Sequence, residues 1–155
     1  MPKSIWEIIE PHFSRKEPWG DSDKMNGLLL LLLFALREEI PWPFIIHYGT
    51  GGEHSPDSQH PSGNAVDGHF ITDIPFYDQI LRVESALDAL QVAGRVGLGL
   101  YPQWNTPGFH IDVRGRKARW GWIGEMKPDG KTKKYCTYEH AKMVALSGKR
   151  SDLSW

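Results

Sequence analysis

Cysteine occurs once in this chain, at Cys136, so no internal disulfide can form and the fold does not depend on an oxidising compartment. An excess of one charge is also missing. Eighteen Lys and Arg stand against nineteen Asp and Glu, for a formal net charge of −1. That balance gives no electrostatic reason to expect nucleic acid or an acidic membrane surface as partner. The basic residues Lys127, Lys131, Lys133 and Lys134 share their stretch with Pro128, Asp129 and Gly130, which reads as a solvated turn rather than a polyanion site. Long apolar runs are absent. The longest, Leu28 to Leu36, has nine residues where a membrane-spanning helix needs about 20, so no membrane span is expected. The run also starts too far from Met1, and lacks the small-residue cleavage site, to act as a signal peptide.

What the chain does have is turn formers and aromatics. Among 155 residues, a length suited to one domain spanning the whole chain, are seven Trp, eleven Pro and sixteen Gly. This composition suits a turn-rich α+β fold better than a helical bundle. The spacing predicts a helix from Ile5 to Phe13 with Ser4 as N-cap. A second is expected from a cap at Ser22 or Asp23 to about Glu39, closed by Pro41 and Pro43. That second helix is apolar nearly all round and is expected to be buried centrally. Strands are expected over Phe44 to Tyr48, Asn64 to Ile71, Arg95 to Tyr101 and Phe109 to Arg114. Further helices are expected from Pro75 to Ala93, ended by Gly94, and from Tyr138 to Leu146, ended by Gly148.

Strand parity divides these residues into two faces. Val66 and Phe70, Leu98 and Leu100, and Ile111 and Val113 would share an apolar face. Asp67 and His69, Gly97, Gly99 and Tyr101, and His110, Asp112 and Arg114 would share the other. The expected architecture is a small, mainly antiparallel sheet, with helices on its apolar face and a site on the polar one. The two glycines are read as leaving room for a substrate.

The segment from Ser58 to Asp67 reads SQHPSGNAVD and fits the pattern SxHxxGxAxD, which fixes five positions. Farther on, Gly108-Phe109-His110-Ile111-Asp112-Val113-Arg114 carries an HxD strand, with Arg119-Trp120 after it. Together these segments resemble the M15 family of zinc peptidases, which includes D-alanyl-D-alanine carboxypeptidases and phage endolysin endopeptidases. The resemblance covers roughly Phe44 to Trp120 and implies a zinc ion held by His60, Asp67 and His110. This donor set suits zinc, since two imidazoles and a carboxylate leave a fourth position for water. The implied function is zinc-dependent hydrolysis of peptide bonds in peptidoglycan stem peptides or cross-links, by a carboxypeptidase or an endopeptidase.

Two departures from the family pattern matter. The family's usual proton-accepting carboxylate lies three residues before the last histidine ligand, where this chain has Pro107. Asp112 is the expected substitute. Its alternatives are an ion pair with Arg114 or Arg119, or a hydrogen bond that orients a ligand, and Glu53 and Asp57 are the other acids within reach of the motif. Many relatives also carry an arginine in a GYR-type segment that suits a substrate carboxylate, and here the segment is Ile46-His47-Tyr48-Gly49-Thr50. That loss favours an endopeptidase, with Arg114 as a possible replacement. Tyr48, Tyr101 and Trp104 are candidate groove or packing residues, His69 is either a partner of the ligands or a satisfied strand residue, and His54 a cleft or solvent residue; Ser58 either binds substrate or holds its own loop. His12, His47 and His140 give no signal. Two other functions fit the same residues: a metal-bearing recognition module without turnover, as in hedgehog-type domains, or a zinc amidohydrolase acting on another amide. With no export signal expected, action at the cell wall implies another exit route or release at lysis, as for a phage enzyme.

Overall fold

The computed structural model describes residues 3–50, 58–124 and 135–148. The basic stretch 127–134 and the loop acids Glu53 and Asp57, with His54, lie outside the described residues. Six strands form one sheet in the order β1-β2-β4-β3-β5-β6: β1 Phe44–Tyr48, β2 Ala65–Phe70, β3 Gly97–Tyr101, β4 Gly108–Asp112, β5 Ala118–Trp122 and β6 Tyr135–Cys136. All neighbours are antiparallel except β3 and β5, which run parallel. Among the described residues four α-helices accompany it: α1 Ile5–Ile9, α2 Gly27–Glu39, α3 Phe76–Ala89 and α4 Tyr138–Ser147. The α+β expectation therefore holds, with a mainly antiparallel sheet.

Parity sorts the faces as expected. Val66, Phe70, Leu98, Leu100, Phe109 and Ile111 join the apolar cluster that also holds Leu29, Leu30, Leu33 and Leu36 of α2 and Ile80, Val83 and Leu87 of α3. Leu33 and Leu36 meet Phe44, Phe70 and Ile111 around one small gap, which places α2 over β1, β2 and β4. At the far side of the sheet α4 lies against β5. There a Cβ on Gly121 would come within 2.3 Å of the Ala141 Cβ, so the bare glycine is what lets the helix sit so close.

Several boundaries differ from the sequence reading. The cap of α2 is Asn26, whose side chain accepts from the Leu28 N–H, while Asp21 caps a separate 3-10 turn at Ser22–Lys24. Buried Met25 is extended between them, because Asn26 is tied elsewhere. Its N–H donates to Gly63 O, and its side-chain amide donates to Asn64 Oδ1 at 2.9 Å. Helix α2 is also not buried all round, for Leu28 and Leu31 are exposed. Helix α3 stops at Ala89 rather than at Ala93, with Gln91 in the left-handed region (φ 59°) and Val92 N–H returning to Leu87 O. Helix α1 ends at Ile9, four residues early. The sequence reading placed no strand at β5 or β6.

Candidate metal centre

The motif loop delivers His60, and β2 and β4 deliver Asp67 and His110, which are directly paired across the ladder. Gly63 sits in the turn between them at φ 78°, where a Cβ would strike Lys24 O at 1.9 Å, so only glycine fits. His60, Asp67 and His110 are all buried and could together hold a metal ion. Their candidate donor atoms, one from each residue, form a triangle with no two more than 4.8 Å apart. His60 Nε2 is 3.2 Å from His110 Nδ1 and 3.4 Å from Asp67 Oδ2, and His110 Nδ1 is 3.0 Å from Asp67 Oδ1. Donors about 2.0–2.1 Å from a tetrahedral ion stand about 3.3 Å from one another; the two imidazole nitrogens already have that spacing, while the Asp67 carboxylate meets His60 through Oδ2 and His110 through Oδ1, so one oxygen has to turn in to complete such a face.

The ring nitrogens facing away from the triangle are engaged as well. His60 Nδ1 is 2.8 Å from Gly49 O, a carbonyl that can only accept, which makes Nδ1 the protonated nitrogen and turns the Nε2 lone pair towards the triangle. His110 is oriented the opposite way round. Its Nε2 meets Asp112 Oδ2 at 2.7 Å and its Nδ1 faces Asp67. Burial alone would push the Asp67 carboxyl up, but the His110 and His60 rings beside it outweigh this and hold the group well below the usual carboxylate range. Asp67 is therefore ionised, as a ligand must be.

Asp112 shares the strand face of His110 as expected, but its carboxylate lies on the far side of the His110 ring from the triangle. It has no exposed surface. Arg114 grips it with Nε at 2.8 Å and Nη2 at 2.7 Å, and the backbone N–H groups of Gly97 and Arg114 add bonds of 3.2 and 3.1 Å. Burial would raise this carboxyl too, and Arg114 and His110 hold it low. A carboxylate so fully engaged orients its histidine and is poorly placed to take a proton from water at the triangle. Arg114 uses Nε and Nη2 in the same contact and packs on the Trp120 ring, 5.1 Å from its centroid, so its forked edge is not available to a substrate carboxylate. Arg119 is not part of this group. It crosses to the other side and donates to Val96 O and Ala93 O.

The room beside Gly97 and Gly99 is occupied by the protein itself. A Cβ on Gly97 would lie 2.3 Å from the Asp112 carboxylate, and one on Gly99 would lie 2.7 Å from the Trp120 ring. Trp120 in turn packs edge-on against His110, with centroids 4.7 Å apart. The glycines thus make space for the groups that hold His110, not for a substrate.

Two further residues stand near the centre, of which only His47 gave no signal in the sequence. His47, the bulged residue of β1, meets His69 with Nε2 to Nδ1 at 2.5 Å. Burial pushes both imidazoles down in pKa. A bulge re-aims a side chain, and no local sequence signal marked this one. Tyr101 brings its hydroxyl to 3.5 Å from Asp67 Oδ1 and stacks flat on Trp104, with centroids 4.0 Å apart. Tyr48 is exposed, His12 pairs with Glu38, and His140 takes part in the capped first turn of α4. Ser58 Oγ accepts from the His60 N–H at 3.2 Å, which gives it a part in holding its own loop.

No family model, curated protein or solved structure matches this chain.

Proposed function

We propose that this protein is a zinc peptidase that hydrolyses peptide bonds in peptidoglycan stem peptides or cross-links. One observation carries the reading: two buried imidazole nitrogens 3.2 Å apart with one carboxylate reaching both, and both far ring nitrogens engaged. The donor set and its spacing favour zinc over harder cations, which take oxygen ligands and more of them. Zinc bound there would supply a Lewis acid for the scissile carbonyl and acidify water.

The chain's own residues divide the remaining work. Gly49 O and Asp112 fix the two rings, Arg114 fixes Asp112, and Asp67 brings the charge that offsets a divalent ion. The engagement of Arg114 favours an endopeptidase over a carboxypeptidase, because the forked edge that would take a terminal carboxylate is already on Asp112. The resemblance of SxHxxGxAxD and HxD to M15 peptidases supports the substrate class. Glu53 and Asp57 become the acids to test as proton acceptor, since Asp112 is engaged behind His110. That same engagement, with Pro107 where relatives carry an acid, favours one second reading: a metal-bearing recognition module without turnover.

The deciding experiment is zinc quantification on the purified chain, followed by digestion of purified peptidoglycan with mass analysis of the fragments. About one zinc per chain is expected. New termini within the peptides should vanish in His60→Ala and with chelator. A chain that holds zinc, binds peptidoglycan and releases no fragment would establish the recognition module instead.

A further inference from the structure

Tyr101 ends β3, opposite Gly108, on the same sheet face as His110 and Asp67. Its ring is fixed by stacking on Trp104 at an interplanar angle of 4°, and Trp104 is backed by the His47 ring, with centroids 5.3 Å apart. The hydroxyl so placed reaches Asp67 Oδ1 at only 3.5 Å, whereas an O–H to carboxylate bond normally closes to about 2.5–2.7 Å. It is a donor held beside the ligand triangle and barely used. Among the described residues, the donors behind the triangle are engaged elsewhere: His60 through Nδ1 with Gly49 O, His110 through Nε2 with Asp112, and Arg114 through Nε and Nη2 with Asp112.

Amide hydrolysis needs such a donor. As water adds to the carbonyl carbon a C–O bond forms and the C=O π pair moves onto the oxygen. When that pair returns, the C–N bond breaks and the amine leaves with a proton taken from the water. The oxygen is an anion only between those events, so a fixed donor aimed at it lowers the barrier rather than merely tightening binding.

We propose that the Tyr101 hydroxyl is the hydrogen-bond donor for an oxygen anion seated at the His60–Asp67–His110 triangle, which in the peptidase is the attacked carbonyl oxygen. Tyr101 donates a hydrogen bond and keeps its proton throughout. Its catalytic part rests on the peptidase reading, whereas its affinity for an anion does not.

The test compares zinc-loaded wild type with Tyr101→Phe, which keeps the ring and its stack on Trp104. An unchanged thermal midpoint and near-ultraviolet circular dichroism would certify the fold. Three quantities are measured: zinc affinity by chelator competition, affinity for an N-acetylated phosphinic alanyl-alanine pseudodipeptide, and turnover of peptidoglycan fragments. In the phosphinic probe a tetrahedral P–O⁻ stands for the attacked carbon and its oxygen. Zinc affinity should stay within about twofold, phosphinate affinity should fall by at least about tenfold, and kcat should fall on the order of a hundredfold with KM little changed. Phosphinate affinity equal in the two proteins, or no phosphinate binding by zinc-loaded wild type, would overturn the proposal. So would a drop in zinc affinity matching the drop in phosphinate affinity, which would make Tyr101 an orienter of Asp67. Phosphinate binding that depends on Tyr101 in a protein that cleaves nothing would sink the peptidase reading and leave the anion donor standing.

Discussion

Asp112 and Gly99 both act on the candidate centre through His110, and substitutions there separate orientation from proton transfer. Asp112→Asn keeps the size of the side chain but withdraws the charge that faces both His110 Nε2 and Arg114. Metal affinity is expected to fall about 10- to 100-fold in a chelator competition, the scale for losing a partner of a ligating histidine. Unchanged affinity with lost turnover would instead return Asp112 to the role of base. Gly99→Ala reaches the same histidine from the other side. The added Cβ falls 2.7 Å from the Trp120 ring, and Trp120 lies edge-on to His110. Overpacking of this kind costs about 1–3 kcal/mol, to be read from denaturant unfolding, and zinc affinity should fall with it. At this scale the sequence was only partly legible. Parity put Asp112 and His110 on one face, but the ring between them, and the Arg114 grip, set what the carboxylate does.

The ends of the helices tie the elements to the site, and Asn26 is the clearest case. It caps α2, donates through its amide to Asn64, and donates through its backbone to Gly63 in the metal-motif loop. Asn26→Ala should destabilise by about 1–2 kcal/mol in urea unfolding, the upper part of the range for a lost N-cap, because the Asn64 bond goes too. Ser4→Ala, at the exposed cap of the short α1, should cost clearly less. Gly121→Ala tests the other end of the sheet. Its Cβ would overlap Ala141, so α4 must move off β5, and a loss of about 1–3 kcal/mol is expected. The helix caps at Ser4 and Gly148 could be read locally because their partners are local. The start of α2 could not, since its cap was chosen by a loop more than thirty residues downstream. Nor could β5. The segment Ala-Arg-Trp-Gly-Trp has no β-branched residue and no clean alternation, and it is a strand because it pairs in parallel with β3.

For the whole molecule, the metal should stabilise the fold, because its ligands come from a loop and two strands that only folding brings together. Free zinc at about a hundred times its dissociation constant adds about 2.7 kcal/mol, so the thermal midpoint should rise with zinc and fall back with chelator. His60→Ala should erase that zinc-dependent shift, and an equal shift in the variant would place the ion elsewhere. The sequence by itself determined the candidate donor types, their order and the sheet face that carries Asp67 and His110, because alternation along a strand is a local property that holds in any pairing. Tertiary structure alone decided which nitrogen of each ring faces the triangle. An imidazole presents two nitrogens of nearly equal chemistry, and the choice falls to whatever acceptor the fold sets behind it: Gly49 O for His60 and Asp112 for His110. It also decided that the space beside Gly97 and Gly99 belongs to Asp112 and Trp120, since β3 gains those neighbours only once β4 and β5 pair on either side of it.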